Sequence, residues 1–132
     1  MNIEYRTIKP EDYEAVRRFL MDEGWQSRVN DAERFARMME KTDRAIVVSE
    51  QGRVIGFGRA LCDGVSNGYI SMLAVAHDRR GRGIGREIVR WLTEIDVDGN
   101  LTWVLRAGRE SSGFWAKMGF NHSQIAMERT RR

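Results

Sequence analysis

The chain has 132 residues, 42% hydrophobic and 31% charged, with a formal net charge of +3. That length suits one domain, residues 1–132, with a core large enough to need no staples. The single cysteine, Cys62, excludes an internal disulfide. No apolar run approaches the ~20 residues of a membrane span. Residues 1–6 lack the apolar core of an export signal. A cytoplasmic location without a membrane partner is therefore expected.

Residues 2–8 alternate Ile3, Tyr5 and Ile8 against polar neighbours, as a strand does. Pro10 suits the first turn of a helix. Tyr13, Val16 and Leu20 recur at helical spacing until Gly24 stops them. Asn30 is the expected N-cap of a second helix carrying Phe35, Met38 and Met39 on its inner face. Strands follow at Ala45–Ser49 and Val54–Leu61, joined by Gln51-Gly52, and Asp63-Gly64 with Asn67-Gly68 marks the next turn. Tyr69–Ala76 reads as a central strand. Ile84, Ile88, Trp91, Leu92 and Ile95 carry an amphipathic helix that ends near Asp98-Gly99-Asn100. Leu101–Leu105 is a further strand, Ser111–Met118 a short helix, and Ile125-Ala126-Met127 the expected last strand. The order β-α-α-β-β-β-α-β-α-β predicts an α/β (α+β) fold, a mixed central sheet flanked by helices. A right-handed crossover through 84–97 would set strands 69–76 and 101–106 parallel.

The chemistry concentrates at His77-Asp78-Arg79-Arg80-Gly81-Arg82-Gly83-Ile84-Gly85-Arg86. A buried strand ends, a glycine-rich turn follows, and a helix begins inside the turn. Unpaired N–H groups and the helix dipole make such a terminus an anion site. Glycines 81, 83 and 85 would admit a phosphate close to the main chain, and Arg80, Arg82 and Arg86 would add ionic contacts. The Lys-Ser/Thr pair of the Walker loop is missing. The dinucleotide fingerprint fails as well, because its third glycine falls on Ile88 or Arg86. The pattern present is Arg-x-x-Gly-x-Gly: Arg80, Gly83, Gly85. Arginine predominates over lysine, 19 to 3, and its forked guanidinium suits phosphate and carboxylate oxygens.

Arg80-Gly81-Arg82-Gly83-Ile84-Gly85 resembles the pyrophosphate loop of the GNAT acetyltransferases. Leu73-Ala74-Val75 resembles that family's bulged fourth strand, and Gly113–Phe120, with Lys117-Met118-Gly119-Phe120, its distal helix end. The resemblance implies acetyl-CoA as cosubstrate, held by Leu73, Ala74, Val75, the loop from Arg80 to Arg86 and Trp115. It implies that the Val75 N–H serves as an oxyanion donor. It further implies direct attack by a primary amine, with Trp25 and Asp63 bordering the acceptor. The family's usual acid, a tyrosine, is replaced by Trp115, whose indole N–H is too weak for the task. No carboxylate lies between Tyr69 and Ala76, so Ser71 and Tyr69 are the candidates for relaying the amine proton.

His77, His122 and Cys62 are too widely spaced for a metal site. The compact size points to a small-molecule amine as acceptor. Dimers are common among similar proteins, and no residue pattern here fixes a homodimer. Two other readings stand beside the enzyme. One is a non-catalytic CoA-binding or sensor domain on the same fold. The other is an RNA-binding module using the Arg-Gly run, although the run lacks interleaved aromatic platforms for bases and no nucleic-acid partner is expected.

Overall fold

The computed structural model describes residues 2–108 and 111–131. Its centre is a five-stranded sheet in the order β1-β2-β3-β4-β5, with β1 at Ile3–Thr7, β2 at Arg44–Glu50, β3 at Arg53–Cys62, β4 at Asn67–Val75 and β5 at Thr102–Leu105. The first four strands run antiparallel to their neighbours. The β4–β5 pair is parallel, in register from Asn67↔Thr102 to Ile70↔Leu105, as the crossover helix requires.

Helices cover both faces. α1 (Tyr13–Asp22) follows a single 3₁₀ turn at Pro10–Asp12. Asp12 accepts the Lys9 N–H and pairs with Arg6 across two hydrogen bonds of 2.6 and 2.8 Å. Gly24, at φ +96°, ends this segment. A four-residue helix not expected from the sequence, α2 (Gln26–Val29), precedes α3 (Ala32–Glu40). The cap of α3 is Asp31, whose carboxylate accepts the Arg34 N–H at 3.1 Å. Asn30, the expected cap, instead closes α2; with adjacent Asn and Asp, composition alone could not choose between them.

α4 (Ile84–Thr93) buries Ile84, Ile88, Val89 and Leu92 against β3 and β4. Glycines at 56 and 58 clear its path. A methyl group at Gly58 would lie 2.6 Å from Ile88 Cγ2 and 3.2 Å from both Leu73 Cδ1 and Leu92 Cδ1. On the sheet's other face, α1 and α3 supply Val16, Leu20, Phe35 and Met39 to the same core.

The last helix, α5 (Ser112–Lys117), seats Trp115 between Phe114 and Phe120, edge to face with ring centroids 5.0 and 5.3 Å away. The terminal strand expected at 125–127 does not form. Ile125 and Met127 are 92% and 96% exposed, and the tail's contact with the body is an Arg106–Glu128 ion pair of 2.9 Å. Three apolar residues with no strand alongside them gain too little to offset the ordering of the backbone.

Candidate active site

The site is built where β4 stops behaving as a regular strand. Ser71 faces Arg59, yet Ala74 faces Phe57, so β4 carries one extra residue across that interval. This is a β-bulge, and Met72 takes its left-handed conformation, φ +59°. The strain is held in place because Met72 is buried in the core.

β5 pairs with β4 only as far as Ile70↔Leu105. Residues 71–75 therefore run on without a parallel partner among the described residues, which leaves a gap in the β4–β5 ladder. Beyond the bulge the β3–β4 ladder resumes, and the Ala76 N–H donates to Ile55 O at 2.8 Å. Antiparallel pairs alternate between bonded and non-bonded, so Val75, the next residue in register with Gly56, turns its N–H and C=O away from β3 and towards the gap. The carbonyl confirms this direction, since it accepts Arg80 Nε at 3.1 Å.

The loop after β4 then turns into α4. Gly83 occupies the N-cap position at φ +82° and no side chain caps the helix. The first intrahelical bond is Glu87 N–H to Gly83 O, 3.1 Å, so the N–H groups of Ile84, Gly85 and Arg86 point outwards at the positive end of the dipole. Gly81 and Gly83 both have positive φ, and the space beside each is open. Gly85 is different: its helical backbone is ordinary, and a methyl there would meet the Phe114 ring at 3.3 Å. Gly85 is small because Phe114 of α5 lies over it.

The arginines divide into spent and unspent. Arg79 is committed to Glu50 (2.7 Å) and Asp78 (3.2 Å), while Asp78 also takes Arg53 at 3.0 Å. This chain of ion pairs fastens the turn after β4 to the β2–β3 hairpin. Arg80, expected at the phosphate, binds Glu23 Oε1 at 2.9 Å as well as the Val75 carbonyl. Arg90 pairs with Glu87 at 2.7 Å. Arg82 and Arg86 are exposed and carry no ion pair among the described residues. The sequence did not single out Glu23. Its side chain is only 7% exposed at the end of α1 and also meets His77 Nδ1 at 3.3 Å, so it ties the loop to the opposite face of the sheet.

On that face lie the remaining candidates. The Arg59↔Ser71 and Leu61↔Tyr69 registers place Ser71 and Tyr69 beside Arg59, away from α4, onto which Gly56 and Gly58 face. Trp25, half-buried between α1 and α2, packs onto the same core. Trp115 is a core residue, 7% exposed, and its neighbour Phe114 is the one that reaches the α4 terminus.

Asp63 is misplaced for an acceptor role. It lies in the β3–β4 turn, roughly 25 Å from Val75 by strand rise. Its carboxylate accepts the N–H groups of Val65, Ser66 and Asn67 and the Ser66 hydroxyl. Those bonds, the hydroxyl's first, hold its pKa far below the ordinary carboxylate range. It is a turn-former. The Asp-Gly-x-Ser-Asn run already carried that signal.

Comparison with known proteins bears on the family and the fold. Residues 41–122 match the family model of the acetyltransferase (GNAT) domain, and the chain belongs to that family. A search of curated protein sequences gives no match. Among solved structures, a protein of unknown function from methicillin-resistant Staphylococcus aureus, designated a probable acetyltransferase, superposes with a TM-score of 0.83 at 16% identity, covering 99% of this chain and 98% of its own. Glucosamine-6-phosphate N-acetyltransferase from Arabidopsis thaliana gives 0.76 at 18% identity, over 98% of this chain and 99% of its own. A protein from Clostridium acetobutylicum, designated a predicted acetyltransferase and solved with acetyl-CoA, gives 0.76 at 18% identity, over 98% and 96%. At these identities the likeness is one of fold. No helix among the described residues is long and apolar enough to cross a membrane.

Proposed function

We propose that this chain is an N-acetyltransferase that uses acetyl-CoA and a small primary amine as its two substrates. One observation carries the reading. An uncapped helix terminus with two unspent arginines stands at the end of a bulged strand whose neighbour has splayed away. A CoA-type ligand suits this arrangement: the unpaired edge of β4 offers hydrogen bonds to a narrow chain, and the N–H groups of the α4 terminus offer them to a diphosphate.

When bound, acetyl-CoA supplies an activated thioester. The chain's own groups do the rest. The N–H groups of Ile84, Gly85 and Arg86, with the Arg82 and Arg86 side chains, hold the pyrophosphate. Leu73, Ala74 and Val75 line one side of the gap. The Val75 N–H faces the gap and donates to the carbonyl oxygen as charge develops there. A preorganised backbone donor of this kind is worth about 10²–10³ in rate. Arg80 acts indirectly, fixing the Val75 carbonyl and hence the peptide plane beyond it. Trp115 supports Phe114, which covers the helix terminus.

Ser71 and Tyr69, on the acceptor face, carry the amine proton outwards through water. The leaving thiol has a pKa of about 8.5, so the departing thiolate takes its proton from solvent and Trp115 need not be an acid.

The test is calorimetric titration with acetyl-CoA against NAD and ATP, followed by an amine screen with thiol release as readout. Selective micromolar binding with turnover supports the reading, and Arg82→Ala and Arg86→Ala should each weaken binding roughly five- to tenfold, about 1 kcal/mol. Tight binding with no turnover of any amine would favour a CoA-sensing domain. No binding at millimolar acetyl-CoA would overturn the proposal.

A further inference from the structure

Arg59 sits in the middle of β3, in a run otherwise made of Val54, Ile55, Gly56, Phe57, Gly58, Ala60 and Leu61. Its guanidinium is half-buried. The hydrogen bond it makes is from Nε to Thr42 Oγ1, 3.1 Å, and no carboxylate lies within ion-pairing distance among the described residues. The charged groups facing it are unhelpful to a cation. Burial holds its pKa below the usual arginine value and Arg28 of α2 repels it, while the Tyr69 phenol acts in the opposite sense. The protein does not lack acids nearby: Asp43 is in reach of this strand, yet it is spent on the Cys62 N–H at 2.7 Å.

A half-buried charge without a partner costs stability. A locally destabilising group can be retained where activity requires it. The location fits that use. Arg59 is directly opposite Ser71, one residue before the bulge, and Val75 lies four residues further along, on the order of 13 Å by strand rise. Trp25 and Arg28 border the same face from α2.

Resting on the acetyltransferase reading, we propose that Arg59, aided by Arg28 and the Tyr69 hydroxyl, receives a negatively charged group of the acceptor, so that the substrate is an amine that also carries a carboxylate or phosphate. The anion binds at Arg59 and the amine extends towards the bulge. Carboxylate and phosphate share the same forked recognition by guanidinium, and the test separates them.

Two measurements are independent of turnover. In the first, the Arg59 Nε–Hε resonance, assigned by its loss in Arg59→Lys, is followed by NMR. The titrants are 6-aminohexanoate, 6-aminohexanamide, 3-aminopropyl phosphate and 3-aminopropanol. A saturable shift with the acid or the phosphate, and none with its neutral partner, supports the proposal; the stronger of the two identifies the anion. No shift with either anion at tens of millimolar, or equal shifts with the neutral pair, overturns it. In the second, Arg59→Met should raise the melting temperature by a few degrees, because an unmatched charge is replaced by an apolar side chain. A fall would make Arg59 a structural residue and overturn the proposal. Where turnover is found, wild type should favour the anionic acceptor over its neutral partner by at least tenfold in kcat/KM, chiefly through KM, and Arg59→Met should abolish that ratio. Loss of acetyl-CoA binding in the wild type would refute the acetyltransferase reading alone, since the NMR and melting results stand without it.

Discussion

Gly58→Ala tests how α4, and with it the anion-binding loop, is held at its height above the sheet. The added methyl would sit 2.6 Å from Ile88 Cγ2, with Leu73 and Leu92 at 3.2 Å. Carbon contacts are optimal at about 3.5–4.0 Å, so roughly 1 Å must be found, and the buried Ile88 and Leu92 with the partly buried Leu73 leave little slack. Overpacking of this kind costs about 1–3 kcal/mol. With an unfolding entropy of about 2.1 cal/mol/K per residue over 132 residues, the melting temperature should drop by about 4–11 °C. Gly113→Ala is the internal control: its methyl would meet nothing within 4 Å, and a helical alanine there should be neutral or stabilising. Ile88→Ala alone should cost about 2–5 kcal/mol. Combined with Gly58→Ala, it should cost at least about 1 kcal/mol less than the sum, because the new methyl fills vacated space. Acetyl-CoA affinity should weaken in Gly58→Ala and not in Gly113→Ala, since only the first lifts the α4 terminus. A melting temperature within about 1 °C of wild type, or strictly additive costs, would refute the argument.

Gly83→Asp should weaken acetyl-CoA binding more than a hundredfold by calorimetry. It should keep a cooperative melt, because the space beside Gly83 is open and the cost is confined to a left-handed residue, about 1–2 kcal/mol. Trp115→Tyr should lower stability by opening the Phe114–Trp115–Phe120 cluster and change turnover less than threefold. A hundredfold gain would show that a missing acid limits the enzyme. Asp63 titrates below its unfolded value, so its stabilisation is fully present above about pH 4 and is lost as pH falls below that. Melting temperature should drop between pH 5 and pH 2, and Asp63→Ala should make that slope shallower; equal slopes would refute the turn-forming role.

Much of the fold could be read from the sequence because its signals are local. The apolar run at Ala45–Ser49, the Gln51-Gly52 turn and the 3.6-residue spacing of Ile84, Ile88 and Leu92 each depend on neighbours along the chain. The loop was legible for the same reason, since a strand, glycines and a helix start follow one another directly. What escaped is what register decides. A bulge was implied by the resemblance of Leu73-Ala74-Val75, but the αL residue that makes it, Met72, is set by a mismatch between two strands, and nothing in Ser-Met-Leu announces it. Arg80 looked like a phosphate ligand until Glu23, 57 residues away in sequence, was found beside it. Arg59 did carry a signal, a lone charge within an apolar strand, but its meaning depends on the absence of a partner, which only the folded contacts reveal. The 125–127 strand failed for the converse reason: a short apolar run suits a strand, but it does not provide a neighbour to pair with.

The division of arginines bears on how a chain with a net charge of only +3 could hold the two proposed anion sites. Many of its arginines are paired with local acids. Arg6 with Asp12, Arg17 with Glu14, Arg44 with Glu94 and Arg79 with Glu50 brace helices and turns at distances of 2.6–2.7 Å. Such pairs contribute little each to stability, and they leave other arginines without an ion pair among the described residues. These include Arg82 and Arg86 at the α4 terminus and Arg59 with Arg28 on the opposite face of the sheet. The bulge of β4 lies between them, so the two sites meet at the one strand where the Val75 N–H is free of the β3 ladder. On this argument, the bulge does more than aim a backbone donor. It is the point where a phosphate-bearing donor from one face and an anion-bearing amine from the other are brought into contact, each held by a charge the fold did not spend on itself.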